Sequence, residues 1–123
     1  FGALTNACVG YGYAVLKCNL DDERDGIYSR FLSIRGADNV PAPKPKPDGL
    51  LEVCKDMSLK PEDCVYIGDS PSDAGAADAA GMPSIGVLWG SHSEESLRQA
   101  PFSHLCSTVE ELRSVLNLLV AQK

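Results

Sequence analysis

Short apolar, β-prone runs recur along the chain at "FGALT", "FLSIR", "CVYIG", "SIGVLWG" and, more weakly, "SHLCS". Between them lie stretches with helical periodicity: "ACVGYGYAVLKCNL", "PDGLLEVCKDM", "SDAGAADAAG", "EESLRQA" and "TVEELRSVLNLLVAQK". The first of these is the weakest helix, because Gly10 and Gly12 lower its propensity. Strands that alternate with helices predict a Rossmann-like α/β fold, a parallel sheet with helices on both faces. Helix-end signals fit this reading. Asp48 with Glu52 downstream, Ser72 or Asp73 ahead of the alanine run, and Thr108 three residues before Glu111 mark helix starts, and Gly81 before Met82-Pro83 marks a stop. The stretch "VPAPKPKPD", with prolines at 41, 43, 45 and 47, reads on its own as an extended, polyproline-like connector.

Length and composition add bounds. With 123 residues the chain predicts one domain, 1–123, around one core. Hydrophobic residues at 44% and charged residues at 23% are those of a foldable globular chain. A net charge of −6 disfavours nucleic acid or an anionic membrane as partner, since either needs a basic face. No apolar run reaches the roughly 18 residues of a membrane span. Five cysteines, an odd number with no C-x-x-C pair, indicate neither a zinc site nor a disulfide framework. They read as reduced thiols, compatible with the cytosol or an organelle stroma. Phe1 stands where an initiator methionine would, inside a strand pattern already under way, so a fragment of a longer protein is expected.

The chemistry concentrates in "VYIGDSPSDAGAADAAGMP" at 65–83. Asp69 follows an apolar run and so belongs at the carboxyl end of a parallel strand, where open α/β sheets bind ligands. Asp73 falls four residues on, in the first turn of the next helix, which can fold it back toward Asp69. A hard divalent cation relieves the repulsion of two adjacent carboxylates, and magnesium takes one or two of them with waters and substrate phosphate. A capping Asp73 and a solvated Asp69 explain the same residues equally well.

Other motifs fail on spacing. A calcium loop begun at Asp69 meets Pro71 and Ala80 where an oxygen ligand and a glutamate are needed, and the acidic run "DDERDG" at 21–26 ends such a loop on Leu32. "GYGYAV" places Val15 where the dinucleotide fingerprint needs a third glycine or alanine, and no G-K-[ST] occurs. A serine esterase built on Ser70 would need an acid-oriented histidine, and neither His92 nor His104 has a recognisable acid partner. At the end of "FGALT", the Thr5 hydroxyl and the backbone N–H groups that follow can hold a phosphate oxygen, and Lys44 or Lys46 can supply the balancing charge. Each has a plainer role beside this, as a helix cap or as a solubilising linker residue.

In this order, Thr5-Asn6, then Lys44-Pro45-Lys46-Pro47, then Gly68-Asp69-Ser70-x-x-Asp73 ahead of "AAGM", the motifs resemble the haloacid dehalogenase superfamily, and within it the phosphoglycolate phosphatase-like hydrolases. The resemblance implies Thr5 and Asn6 at the phosphate, Lys44 as the lysine that balances nucleophile and phosphate charge, Asp69 as a magnesium ligand, and Asp73 as the second acid of the metal site, ordering the metal's shell or the lysine. Lys46 stands at a variable position. It implies Mg2+ as cofactor and a small phosphorylated metabolite as substrate. Gly68 and Asp73 favour a phosphatase over the E-D-S-x-x-G of β-phosphoglucomutase-like phosphotransferases, and Asp69 favours metal over the S-S-N-x-x-D of dehalogenases.

One departure matters. The family's nucleophile lies in D-x-D-G-T, and no such motif occurs in this sequence. Asp21 and Asp22 follow no apolar strand and do not replace it. The resemblance therefore implies a partial core lacking its first, central strand and its helical cap, with two facing strand edges left open, and an isolated chain that is marginally folded and inactive. Pairing with a missing N-terminal half, or a non-catalytic role as a truncated or pseudo-phosphatase chain, follows as the alternative.

Overall fold

The computed structural model describes residues 1–20 and 27–121. In chain order these form β1 (Gly2–Leu4), α1 (Val9–Leu20), β2 (Ser33–Arg35), α2 (Asp48–Asp56), β3 (Tyr66–Gly68), α3 (Pro71–Ala80), β4 (Ser84–Val87), α4 (Glu94–Arg98), β5 (His104–Cys106) and α5 (Val109–Ala121). Each strand and each helix falls on the stretch that its pattern predicts. The acidic run at 21–26, set aside above as a calcium loop and as a nucleophile, lies outside the described residues.

The strands pair in parallel, as expected for an alternating chain, but in two sheets. β1 pairs with β2 through Gly2 opposite Ser33 and Leu4 opposite Arg35. β4 lies between β3 and β5, with Ile67 opposite Ile85 and Gly86 opposite Leu105. No ladder joins β1 to β3. A cavity of about 520 Å3 bordered by both strands separates them, lined among others by Phe1, Leu4, Met57, Cys64, Ile67 and Leu116. The two open edges anticipated from the missing central strand are thus present in the fold.

Burial explains which side of this division is the firmer. All four residues of β4 are buried, and Ile85 and Leu97 are fully covered. By contrast α1 has no buried residue, and Tyr11 and Tyr13 stand largely in solvent. What joins the halves is helix packing. α2 lies against β1, β2 and α3, and Leu50 and Cys54 of α2 close a core with Ala76, Ala77 and Met82. The alanine run of α3 brings the two helices close, because small side chains let backbones approach. Cys54 is buried beside Cys64, and burial first, then the neighbouring thiol, pushes the Cys54 thiol up to about 11. That makes it inert rather than nucleophilic.

Three details depart from the sequence reading. α3 is capped by Ser70, two residues before the earliest candidate, and Asp73 serves as the third helical residue of a capping box. α2 starts at Asp48 after Pro47 with no side-chain cap. The proline stretch is not an extended connector: the chain turns at 44–45, where Lys46 N–H donates to the Pro43 carbonyl at 3.0 Å. The physical reason lies outside the stretch. Asn6 and Asp73, both distant in sequence, hold Lys44 in place and override the local preference.

Candidate active site

The site forms where the chain leaves β3. Gly68 ends that strand, and a Cβ built there would collide with the Asp73 side chain. Only glycine leaves room for the first turn of α3 to fold its acid back against the strand. The Asp73 carboxylate then accepts four hydrogen bonds. Its Oδ2 receives the backbone N–H of Asp69 at 3.0 Å and of Ser70 at 3.1 Å, while its Oδ1 receives Lys44 Nζ at 2.6 Å and the Tyr66 hydroxyl at 3.0 Å. Four donors fill the four acceptor positions that a carboxylate offers.

Asp73 is buried, at 3% exposure. Burial pushes its carboxyl upward, but the bonds from Lys44, Ser70 and Tyr66 outweigh that and hold it below its ordinary value. The Tyr66 phenol is driven far above its usual range, by burial first and by the Asp73 charge second, so it stays a donor.

Lys44 is reached from the other half of the molecule. Its backbone N–H donates to Asn6 Oδ1 at 3.1 Å, and its carbonyl accepts from Asn6 Nδ2 at 3.4 Å. The Asn6 amide thus holds the lysine's own backbone from both sides. Thr5, one residue earlier at the end of β1, accepts the Ala7 N–H on its hydroxyl at 3.0 Å and opens the turn ahead of α1. Among the described residues, therefore, the structure joins Lys44 to Asn6 through its backbone and to Asp73 through its ammonium. It links Asp69 to them through its backbone, and leaves Thr5 in its own turn at the mouth of β1.

The Asp69 carboxylate differs from that of Asp73. Among the described residues it takes no hydrogen bond. The loop after β4 lies against it, and a Cβ added at Gly90 would collide with its side chain. Asp73 does fold back onto Asp69, and the hydrogen bond it makes there is accepted from the Asp69 backbone N–H. No group of three or more metal-ligating side chains occurs among the described residues. One free, half-buried carboxylate fits magnesium nonetheless, because that ion is held by one or two carboxylates with waters and phosphate oxygens.

Two contributors escaped the sequence reading, Tyr66 and Gly90. A tyrosine in an apolar run reads as core. The available signal was parity, since residues two apart on a strand share a face and Tyr66 therefore lies beneath the Gly68 position that Asp73 occupies.

Comparison with known proteins agrees with this geometry. The model of the haloacid dehalogenase-like hydrolase family matches residues 21–87. A phosphoglycolate phosphatase of Xylella fastidiosa (strain 9a5c) is 46% identical over 70 residues, covering 57% of this chain and 31% of the relative. A solved structure from Lactobacillus delbrueckii subsp. bulgaricus, assigned as a phosphoglycolate phosphatase, superposes with a TM-score of 0.78 at 24% identity, over 93% of this chain and 45% of that one, and shows the shared fold. A protein of Thermotoga maritima assigned as a β-phosphoglucomutase does so with a TM-score of 0.75 at 26% identity, over 94% of this chain and 51% of the other. The chain spans about a third of the length of the curated relatives it matches. With more than half its residues under the family model and the family's motifs brought together around Lys44 and Asp73, this chain belongs to the haloacid dehalogenase-like hydrolases.

Proposed function

We propose that this chain carries the lysine and metal-binding part of a magnesium-dependent phosphatase of the phosphoglycolate phosphatase type, acting on a small phosphorylated metabolite. The observation that carries the reading is the contrast between the two acids. Asp73 is saturated by donors that include Lys44, and Asp69 keeps a free carboxylate beside it. In this reading Asp69 ligates the metal directly. Asp73 acts on the metal site by ordering the Asp69 loop and the lysine.

Lys44 balances charge at the phosphoryl group, Thr5 offers a hydroxyl to a phosphoryl oxygen, and Asn6 serves by holding the Lys44 backbone. Bound at Asp69, magnesium would supply a positive charge against the phosphoryl oxygens. The D-x-D-G-T motif that carries this family's attacking carboxylate does not occur in this sequence, so hydrolysis needs a nucleophile from outside it. The cavity between β1 and β3, with an unpaired strand edge on either side, supports the reading that a further strand brings it there.

Asp69→Asn in the full-length protein tests the assignment. It is expected to abolish magnesium-dependent hydrolysis of a small phosphomonoester while leaving the melting temperature in place, and retained activity would overturn it. The likeness to the Thermotoga maritima protein supports a second reading, a sugar-phosphate mutase. Product analysis separates the two: free phosphate marks a phosphatase, an isomerised sugar phosphate a mutase. A full-length protein that turns over neither substrate would favour the non-catalytic alternative.

A further inference from the structure

The Lys44 ammonium has three N–H bonds, and the structure accounts for two of them. One donates to Asp73 Oδ1 at 2.6 Å and one to the Tyr66 hydroxyl oxygen at 3.2 Å. The tyrosine's own proton is committed, since its hydroxyl donates to the same Asp73 oxygen at 3.0 Å, so toward the lysine it can only accept. These three groups close a triangle whose corners come from different elements: the loop before α2, strand β3 and helix α3.

A single contact with Asp73 would tether the ammonium and leave it free to rotate about that bond. A second contact, on an atom carried by a strand, removes the rotation. The Tyr66 ring adds to the seat, with its centroid 5.8 Å from Nζ. The backbone of Lys44 is fixed separately by Asn6, so the tip of the side chain is what Asp73 and Tyr66 decide.

We propose that Tyr66 is a positioning residue for Lys44: its hydroxyl occupies one ammonium N–H bond and so fixes the direction of the remaining one, away from Asp73 and Tyr66. The direction of that last bond follows from tetrahedral nitrogen once the other two are placed. A phosphoryl oxygen is the ligand this bond would serve, and in that respect the proposal rests on the phosphatase reading. The geometry of the triangle does not.

The experiment separates the two. Lysine ammonium groups give 1H–15N correlations only when hydrogen bonds slow their exchange with water. In the full-length protein, Lys44 is expected to give such a signal, identified by its loss in Lys44→Gln, with a nuclear Overhauser contact to the Tyr66 ring protons. In Tyr66→Phe, which keeps the ring and removes the hydroxyl, exchange at Lys44 should rise about fivefold or more, the effect of losing one charge-assisted hydrogen bond. The same variant should lower kcat for p-nitrophenyl phosphate about tenfold while KM moves less than about twofold, because an aimed charge matters most in the transition state. Unchanged Lys44 exchange in Tyr66→Phe overturns the proposal. So does absence of the Tyr66 contact in the unmodified protein, a result that needs no variant to fold. Absence of hydrolysis in the unmodified protein would instead overturn the phosphatase reading, with the exchange measurement still deciding the role of Tyr66.

Discussion

Two ion pairs of nearly equal length sit at different depths in this molecule. Lys44 and Asp73 meet at 2.6 Å with side chains 11% and 5% exposed, whereas Arg35 and Asp56 meet at 2.8 Å with side chains 25% and 29% exposed. The outer pair is bidentate, is joined by Ser33 Oγ on Asp56 at 2.6 Å, and ties β2 to α2. It holds Asp56 down to about 2, by the Arg35 hydrogen bonds first and Ser33 second. Water shares the work there, so geometry need not be complete. The inner pair has no such help, and every acceptor position of its carboxylate is answered by the protein. A buried pair of this kind adds little net stability over an apolar pair of the same shape. Its place at the end of β3 is better explained by what a fixed ammonium can do there.

The difference sets the order of expected effects. Lys44→Ala should be the most damaging, costing about 3 to 5 kcal/mol in the unfolding free energy of the full-length protein measured by denaturant titration, since it strands a buried carboxylate. A loss below about 1 kcal/mol would show that Asp73 is wetter than its burial implies, and the contrast between the pairs would break. Asp56→Asn at the outer pair should cost on the order of 1 kcal/mol near neutral pH once solvent screening is allowed for. Its pH dependence follows from a carboxyl whose folded value lies below its unfolded one. The stabilisation is fully present above about pH 4 and fades as the pH falls toward 2, so the two proteins' stabilities should converge over that window. Parallel curves through acid would remove Asp56 as the source.

Much of the fold was legible because each strand and helix carries its own period. The alternation of apolar runs with helical stretches is local information, and so are the Thr108 to Glu111 capping bond at 3.1 Å and the left-handed Gly81 with φ 73° that ends α3. The candidate residues were legible in a weaker sense. Lys44 and Asp73 are 29 residues apart, and only the ordered motifs suggested that they belong together. What stayed hidden was the product of three-dimensional crowding. Nothing in "VPAPKPKPD" announces a turn, because Asn6 imposes it from 38 residues away. Nothing in "VYIGD" distinguishes a tyrosine that packs from one that also presents its hydroxyl to a lysine. The division into two sheets was foreshadowed only by the family resemblance and its missing first strand, because the strand patterns do not tell which neighbours pair.

The contact between Lys44 and Asp73 has a bearing on how the molecule assembles. One partner hangs from a loop that Asn6 anchors to the end of β1, and the other rides on α3, which covers β3 and β4. The bond needs both sheets in place, which α2 packed on α3 provides. It is therefore expected to form late, so that its loss speeds unfolding and leaves the refolding rate nearly unchanged, as paired unfolding and refolding rates of the wild type and Lys44→Ala would show. The same bond that holds an ammonium in place thereby acts as a latch, fastened when the halves have already met.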